Sequence, residues 1–193
     1  MGLHSPIVAA WRWIERYADH EDPLARASNW IALVVASNQP FYPLYLYAVV
    51  GDRFIPSLLT FFSTPFFAAV PAVSRRHPFA GRVMLPLVGI GNGIVAAKAL
   101  GPASGVELFL IPCALIAAAL FRPSERLVGF VLIGTAFLSY FLLHGRYGAP
   151  LSSYTDAEYA TLFSINVLSA AGLTVFIGLL LRGIIHDTLA SPR

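Results

Sequence analysis

Charged residues are scarce in this sequence of 193 residues: Asp, Glu, Lys and Arg together make up 12% of it, against about 25% in an average soluble domain. Hydrophobic residues make up 57%. A soluble core does not need so much apolar surface, so the composition excludes an ordinary soluble enzyme. The net charge of +3 comes from scattered arginines and a single lysine, Lys98, and we expect no nucleic-acid partner.

Cysteine and histidine are too few, or too peripheral, for most kinds of site chemistry. Cys113 is the single cysteine, which excludes a disulfide framework, and its place in an apolar run predicts a small buried side chain. None of the five histidines lies inside an apolar run, so a haem held by histidines within the membrane is not expected. HExxH, CxxC and Ser–His–Asp arrangements are missing as well. We therefore expect no metal, no cofactor and no enzyme activity, that of a lipid-modifying membrane enzyme included.

Six long apolar runs, separated by short polar gaps, occupy most of the chain. They cover residues 30–50, 54–73, 83–100, 106–121, 127–143 and 159–181. A helix crosses the hydrocarbon layer with about 20 apolar residues. The pattern predicts an all-α fold, a polytopic bundle of six transmembrane helices over residues 29–182. It is preceded by a cytoplasmic segment, residues 1–28, and followed by a short cytoplasmic tail, residues 183–193.

The distribution of basic residues predicts the orientation of this bundle. If each run crosses the membrane, only Arg53, Lys98 and Arg146 of the 13 Lys and Arg residues lie on one side. The other ten lie on the side of both termini. Cytoplasmic loops carry the excess of Lys and Arg. We therefore predict a multi-pass protein of the bacterial inner membrane with both termini in the cytoplasm.

Residues 6–19 have the pattern of an amphipathic helix. Ile7, Trp11, Ile14 and Ala18 recur at spacings of three and four, which places them on one helical face, and charged residues occupy the opposite side. Tryptophan favours the headgroup layer of a bilayer. The segment is predicted to lie on the membrane surface; the alternative is a soluble cap that packs on the bundle.

Proline and glycine predict the shape of two of the membrane helices. Pro40 and Pro43 interrupt the first run near its middle, and each removes a backbone donor from the helix. Because freed carbonyls must be satisfied inside a membrane protein, this kink is expected to face the bundle interior. In the third run Gly89, Gly93 and Ala97 recur every four residues and predict close packing of a neighbouring helix.

A small set of polar side chains falls at membrane depth. Amides are costly in hydrocarbon unless they are hydrogen-bonded, so they should face inward. One interpretation is hydrogen bonding between helices; the other is a polar pocket for a small ligand beside the broken first helix. The candidate pocket residues are Asn38, Gln39, Tyr42, Asn92, Glu107 and Asn166.

Glu107 is the acidic residue that lies within a predicted span. Lys98 ends the preceding span at a similar height, and the gap between them contains Pro102 and two glycines, which allow a sharp turn. A Lys98–Glu107 ion pair that closes this hairpin is one prediction. The alternative is a functional carboxylate that binds a proton or a cationic group.

The sequence GVELFLIP at 105–112, followed by FRPSER at 121–126, resembles the fourth span and next gap of certain six-helix membrane modules. These modules precede the output domains of some bacterial membrane-anchored class III adenylate cyclases and sensor kinases. The resemblance implies a membrane sensor module. No output domain follows residue 182 in this sequence, so cyclase activity is not carried over.

The leading hypothesis is a non-enzymatic sensor or regulatory protein. It would bind a small or lipidic ligand within the bundle and signal through partner proteins. The alternative is a small transporter or channel that works as an oligomer, because helices broken at mid-membrane are frequent in transporters. The expected partners are the lipid bilayer and either another protein or further copies of the chain.

Overall fold

A computed structural model describes residues 6–190 of the chain, with side chains described as far as residue 184. All regular structure in this range is helical, which confirms the predicted all-α class. The α-helices are α1 (Pro6–Ala18), α2 (Pro23–Asn38), α3 (Phe41–Val50), α4 (Thr64–Arg76), α5 (Pro78–Leu100), α6 (Leu110–Ala119), α7 (Arg126–Leu143) and α8 (Asp156–Ala190). Four 3₁₀ helices connect them: Gly51–Ser63, Pro102–Ser104, Val106–Phe109 and Pro123–Glu125. Residues 1–5 and 191–193 of the predicted terminal segments lie outside the described range.

Four helical segments in the described part of the chain are long and apolar enough to cross a membrane. They are Pro23–Arg76, Pro78–Leu100, Pro123–Leu143 and Asp156–Ile184, and Val106–Ala119 is a shorter apolar segment. The fold is therefore all-helical, is consistent with a helix bundle, and contains several helices that could cross a membrane. Counting these segments does not give the number of crossings, because Pro23–Arg76, with 54 residues, is long enough to cross a membrane more than once.

The long segment Pro23–Arg76 folds back on itself at Gly51. Gly51 ends α3 with φ 61° and ψ −141°, a backbone conformation that glycine adopts with little strain. Beyond it, the 3₁₀ helix Gly51–Ser63 packs on α3, and α4 packs on α2. The apolar runs 30–50 and 54–73 are thus antiparallel neighbours, and the first half of the second run is 3₁₀ rather than α-helix.

The predicted interruption of the first run is present. Helix α2 ends at Asn38 and α3 begins at Phe41, so the two prolines lie at and just after the break. The carbonyl of Gln39 accepts the Tyr42 N–H at 3.2 Å, a tighter turn than an α-helix makes, because Pro43 has no N–H to offer.

Helix α1 is docked on one end of the bundle. The Tyr17 hydroxyl donates to the Ala68 carbonyl of α4 at 2.8 Å, and the Arg75 guanidinium lies over the Tyr17 ring, 5.0 Å from its centroid. The indoles of Trp11 and Trp30 are 5.9 Å apart. This contact with the bundle agrees with the cap that was the alternative prediction.

The exposed surface of α1 nevertheless includes large apolar side chains. Ile7 is 78% exposed and Trp13 is 60% exposed, whereas Ala18 is the residue of this helix that is fully buried. An apolar, tryptophan-bearing surface at the end of a membrane bundle is suited to the headgroup layer. The docked helix therefore combines features of both predictions.

The basic residues separate to the two ends of the bundle. At the α1 end, Arg122 forms a salt bridge with Asp22 at 3.1 Å. Arg82 forms a bidentate salt bridge with Glu125, with N–O distances of 2.7 and 2.8 Å. Arg82 is 1% exposed, so this pair is an internal link between α5 and the start of α7. Such a bidentate geometry suits guanidinium and carboxylate.

Loop 144–155 covers the opposite end. The carbonyl of Ala99 accepts the N–H groups of Leu151 and Ser152 at 3.1 and 3.4 Å. Arg53 donates to the Ser153 carbonyl at 3.2 Å and pairs with Glu158. These contacts tie the loop to the ends of α5, α3 and α8.

Candidate functional site

A cavity of about 450 Å³ lies beside the break between α2 and α3. It is bounded by α2, α3, α5, α6 and α8 and by the end of the 3₁₀ helix Gly51–Ser63. Small-molecule sites in proteins occupy about 300–1,000 Å³. The described residues that line the cavity include no charged side chain, and the aromatic ones are Phe41, Tyr42, Tyr45, Phe67, Phe109 and Phe176.

Four of the six residues predicted from the sequence line this cavity: Asn38, Gln39, Tyr42 and Asn92. Glu107 and Asn166 are not among the described lining residues. Val106 and Phe109, which flank Glu107 in the same 3₁₀ helix, do line it. The structure therefore brings four of the six predicted residues together at the cavity. Glu107 belongs to the 3₁₀ helix Val106–Phe109, which borders the cavity, but Glu107 itself does not line it.

The amide of Gln39 is fully engaged by the protein. Its Nε2 donates to the Thr60 carbonyl at 3.3 Å and to the Ser63 hydroxyl at 2.5 Å, and the Thr64 hydroxyl donates to its Oε1. The side chain is 7% exposed. Gln39 therefore links α2 to the returning segment, as the prediction of hydrogen bonding between helices requires.

Asn92 and Asn38 keep part of their amides free. Asn92 Oδ1 is 2.9 Å from the Ser63 hydroxyl, and its Nδ2 has no partner in the described part of the chain. Asn38 lies at the exposed end of α2, where its Nδ2 donates to the Val34 carbonyl of the same helix at 2.9 Å. Asn92 thus offers a donor to the cavity, and the expectation that Asn38 is buried in the bundle is wrong.

Tyr42 and Asn166 meet between α3 and α8. Asn166 is 0% exposed, and its Nδ2 donates to the Ser104 carbonyl at 2.8 Å. The Tyr42 hydroxyl lies next to this amide, although neither the hydroxyl nor Asn166 Oδ1 has a partner with good hydrogen-bond geometry among the described residues. Because the hydroxyl is buried beside Asn166, which does not line the cavity, Tyr42 contributes its ring rather than its hydroxyl to the cavity wall.

The predicted Lys98–Glu107 ion pair is not formed. Lys98 Nζ donates instead to the carbonyls of Tyr147 and Ala149, at 2.9 and 2.8 Å. Glu107 Oε2 lies 2.6 Å from His144 Nδ1. The cause is loop 144–155, which folds over the end of α5 and offers carbonyls to the lysine from a distant part of the sequence.

Glu107 remains a notable group. It is 7% exposed, and its Oε1 has no hydrogen-bond partner among the described residues. Burial, followed by the effect of the nearby Glu107 carboxylate, raises the pKa of Tyr147 to about 12. The Tyr147 hydroxyl is therefore neutral at physiological pH, and His144 is the group near this carboxylate that can carry a positive charge.

Sequence reasoning missed His144 and the hydroxyl residues of the returning segment. Ser57, Thr60 and Ser63 are all buried and recur every three residues. A 3₁₀ helix has 3.0 residues per turn, so this spacing places the three side chains on one buried face, and Ser63 on that face accepts from Gln39. The spacing was a readable signal, whereas no local pattern pointed to His144.

Comparison of the chain with protein-family models, with curated proteins and with solved structures gives no match. The class of the protein accordingly rests on its own features: an all-helical bundle with several helices able to cross a membrane and an internal cavity. The resemblance to cyclase and kinase sensor modules stays a prediction.

Proposed function

We propose that this chain is a multi-pass membrane sensor or regulatory protein that binds a small or lipidic ligand in the cavity between α2, α3, α5, α6 and α8. The observation that carries the proposal is a cavity of about 450 Å³ without charged lining among the described residues, into which Asn92 offers an Nδ2 that has no partner in the described part of the chain. A bound ligand would satisfy polar atoms that are otherwise costly to bury.

The proposal includes six crossings, with both termini in the cytoplasm of a bacterial inner membrane. The turn at Gly51 divides Pro23–Arg76 into two passes, and the shorter Val106–Ala119 supplies another. The separation of basic residues between the two ends of the bundle supports this orientation. The signal would pass to another protein or to a further copy of the chain.

A cavity-blocking substitution tests ligand binding directly. Ser169 lines the cavity and is exposed, whereas Ser164 on the same helix is exposed and does not line it. We expect S169F to abolish saturable binding of the neutral fluorophore 1-aminoanthracene in detergent, and S164F to bind like wild type. Equal binding by S169F and wild type, or no saturable binding at all, would contradict the proposal.

The alternative of a transporter or channel is favoured by one observation, the helix break and the 3₁₀ helix Gly51–Ser63 at the cavity. Discontinuous helices form the substrate sites of many transporters. Proteoliposomes loaded with the probe separate the two functions. A sensor shows no flux above that of S169F, whereas a transporter shows flux that this variant blocks.

A further inference from the structure

We propose that the ligand is a neutral, ring-bearing amphiphile with a hydrogen-bond-accepting oxygen, such as a quinone, and that it enters the cavity from the bilayer between α3 and α8. This inference rests on the proposed function and specifies its ligand class. Four features of the cavity support it: the absence of charge, the aromatic walls, the free donors and the position of the opening.

The lining excludes a charged ligand group. The described residues around the cavity include no Asp, Glu, Lys, Arg or His. A carboxylate, phosphate or ammonium moved into such surroundings would lose its hydration without gaining a counter-ion, which is strongly unfavourable. Fatty acids, phospholipid headgroups and alkylammonium ions are thereby disfavoured.

The walls favour a ring over a plain alkyl chain. Tyr42 and Tyr45 on α3 face the cavity, as do Phe67 of α4, Phe109 and Phe176. Aromatic side chains interact with other rings in stacked or edge-on geometry, beyond the effect of burial alone. Gly89 and Gly93 of α5 also line the cavity.

The free N–H groups of the Asn92 amide match an accepting oxygen. Asn92 lines the cavity, its Oδ1 is 2.9 Å from the Ser63 hydroxyl, and its Nδ2 has no partner in the described part of the chain. Gln39, by contrast, is saturated by Thr60, Ser63 and Thr64. A ligand carbonyl would accept from Asn92, and Gln39 would serve only to fix the wall.

The opening lies on the flank of the bundle. Asn38 and Tyr45 on one side, and Ser169 and Gly172 on the other, line the cavity and are also exposed. All four lie far from the helix ends that carry charge. In a membrane bundle such a flank faces lipid, so a ligand dissolved in the bilayer reaches the cavity without passing through water.

Displacement of 1-aminoanthracene from the purified full chain in an uncharged detergent tests the ligand class. Three competitors of similar apolar size are compared: decyl-benzoquinone, which is neutral, palmitate, which is anionic, and dodecyltrimethylammonium, which is cationic. We expect saturable displacement by the quinone alone. We expect N92L to weaken binding of the quinone by about two- to tenfold, the effect of one hydrogen bond. S164L, which introduces the same leucine at an exposed position of α8 outside the cavity, is the control and should bind the quinone like wild type.

The possible failures are distinguishable. Displacement by palmitate or by the ammonium ion as effective as by the quinone overturns the ligand class but leaves the cavity function intact. Quinone binding that is unchanged in N92L also overturns the inference. If the fluorophore itself binds S169F as well as wild type, the proposed function fails, and this inference fails with it. Circular dichroism of each variant identifies any that have not folded.

Discussion

At the scale of single residues, Gln39 shows how a polar side chain can hold a membrane helix at its break. Its amide makes three hydrogen bonds to the returning segment. We expect Q39L to lower the free energy of unfolding by about 1–3 kcal/mol, because it leaves buried hydroxyls unpaired. Thermal unfolding in detergent measures the effect.

The neighbouring amide provides the control for that substitution. Asn38 is exposed and bonds only to its own helix, so N38L should change stability by less than about 0.5 kcal/mol, as is usual for exposed positions. If N38L and Q39L were equally destabilising, the Gln39 network would not be the cause.

The Glu107–His144 pair predicts an energetic coupling between loop 144–155 and the 3₁₀ helix Val106–Phe109. His144 Nδ1 lies 2.6 Å from Glu107 Oε2, and Glu107 is 7% exposed. A buried group that loses its hydrogen-bond partner destabilises the fold, so we expect E107Q and H144Q each to lower the melting temperature. A double-mutant cycle on thermal unfolding in detergent should show that the two effects are not additive.

His77 supplies the control for this cycle, because it is an exposed histidine at the other end of the bundle. H77Q should melt like wild type. Fully additive effects of E107Q and H144Q would show that the pair carries no such role.

The burial of the polar residues was predictable only in part. Gln39 and Asn166 are buried, as the cost of amides in hydrocarbon predicts. Asn38 is not, because α2 ends at that residue and its side chain turns back to Val34. The partner of Glu107 was not predictable, because His144 reaches it through a loop that is distant in sequence.

At the scale of helices, what could be predicted depended on whether a local sequence signal marked the element. The break at Pro40 and Pro43 follows from local backbone chemistry and was expected. The 3₁₀ helix Gly51–Ser63 was not, because its apolar residues satisfy the length rule for a membrane span whatever the helix type. The three-residue spacing of Ser57, Thr60 and Ser63 is the feature that distinguishes it.

Close packing of α5 on α6 gives a prediction at this scale. A Cβ added to Gly89 would lie 2.6 Å from Cys113 Sγ, whereas one added to Gly91 meets nothing within 4 Å. We expect G89A to destabilise the protein by about 1–3 kcal/mol, as overpacking does. G91A should be neutral or slightly stabilising, because alanine favours helix.

Removal of the Cys113 sulfur should abolish the destabilising effect of G89A. In a C113A background the clash is gone, so G89A should cost little there, and a double-mutant cycle on unfolding free energies measures the coupling. If G89A were as destabilising in the C113A background as in the native chain, the contact between these helices would not explain the glycine.

At the scale of the whole molecule, the charge asymmetry and the fold agree. The three basic residues assigned to one side, Arg53, Lys98 and Arg146, all lie at the end covered by loop 144–155. Arg75, Arg82 and Arg122 lie at the α1 end. This separation was predictable, because it depends only on the order of apolar runs along the chain. The ligand and the partners of the protein were not, since they depend on side chains from distant segments.

Cysteine labelling tests the proposed topology and with it the fold-back at Gly51. The native Cys113 is buried, so it gives little background, and C113A removes even that. In this background a single cysteine replaces Asp52 or Arg146 at the loop end, or Arg76 or Ser124 at the α1 end; all four positions are exposed.

Two crossings of Pro23–Arg76 place Asp52 and Arg76 on opposite sides of the membrane. We expect a membrane-impermeant maleimide added to intact spheroplasts to label D52C and R146C, and to label R76C and S124C only after lysis. Labelling of both D52C and R76C in intact cells would mean that the segment does not cross twice, and the six-crossing arrangement would be wrong even though the helices themselves remain.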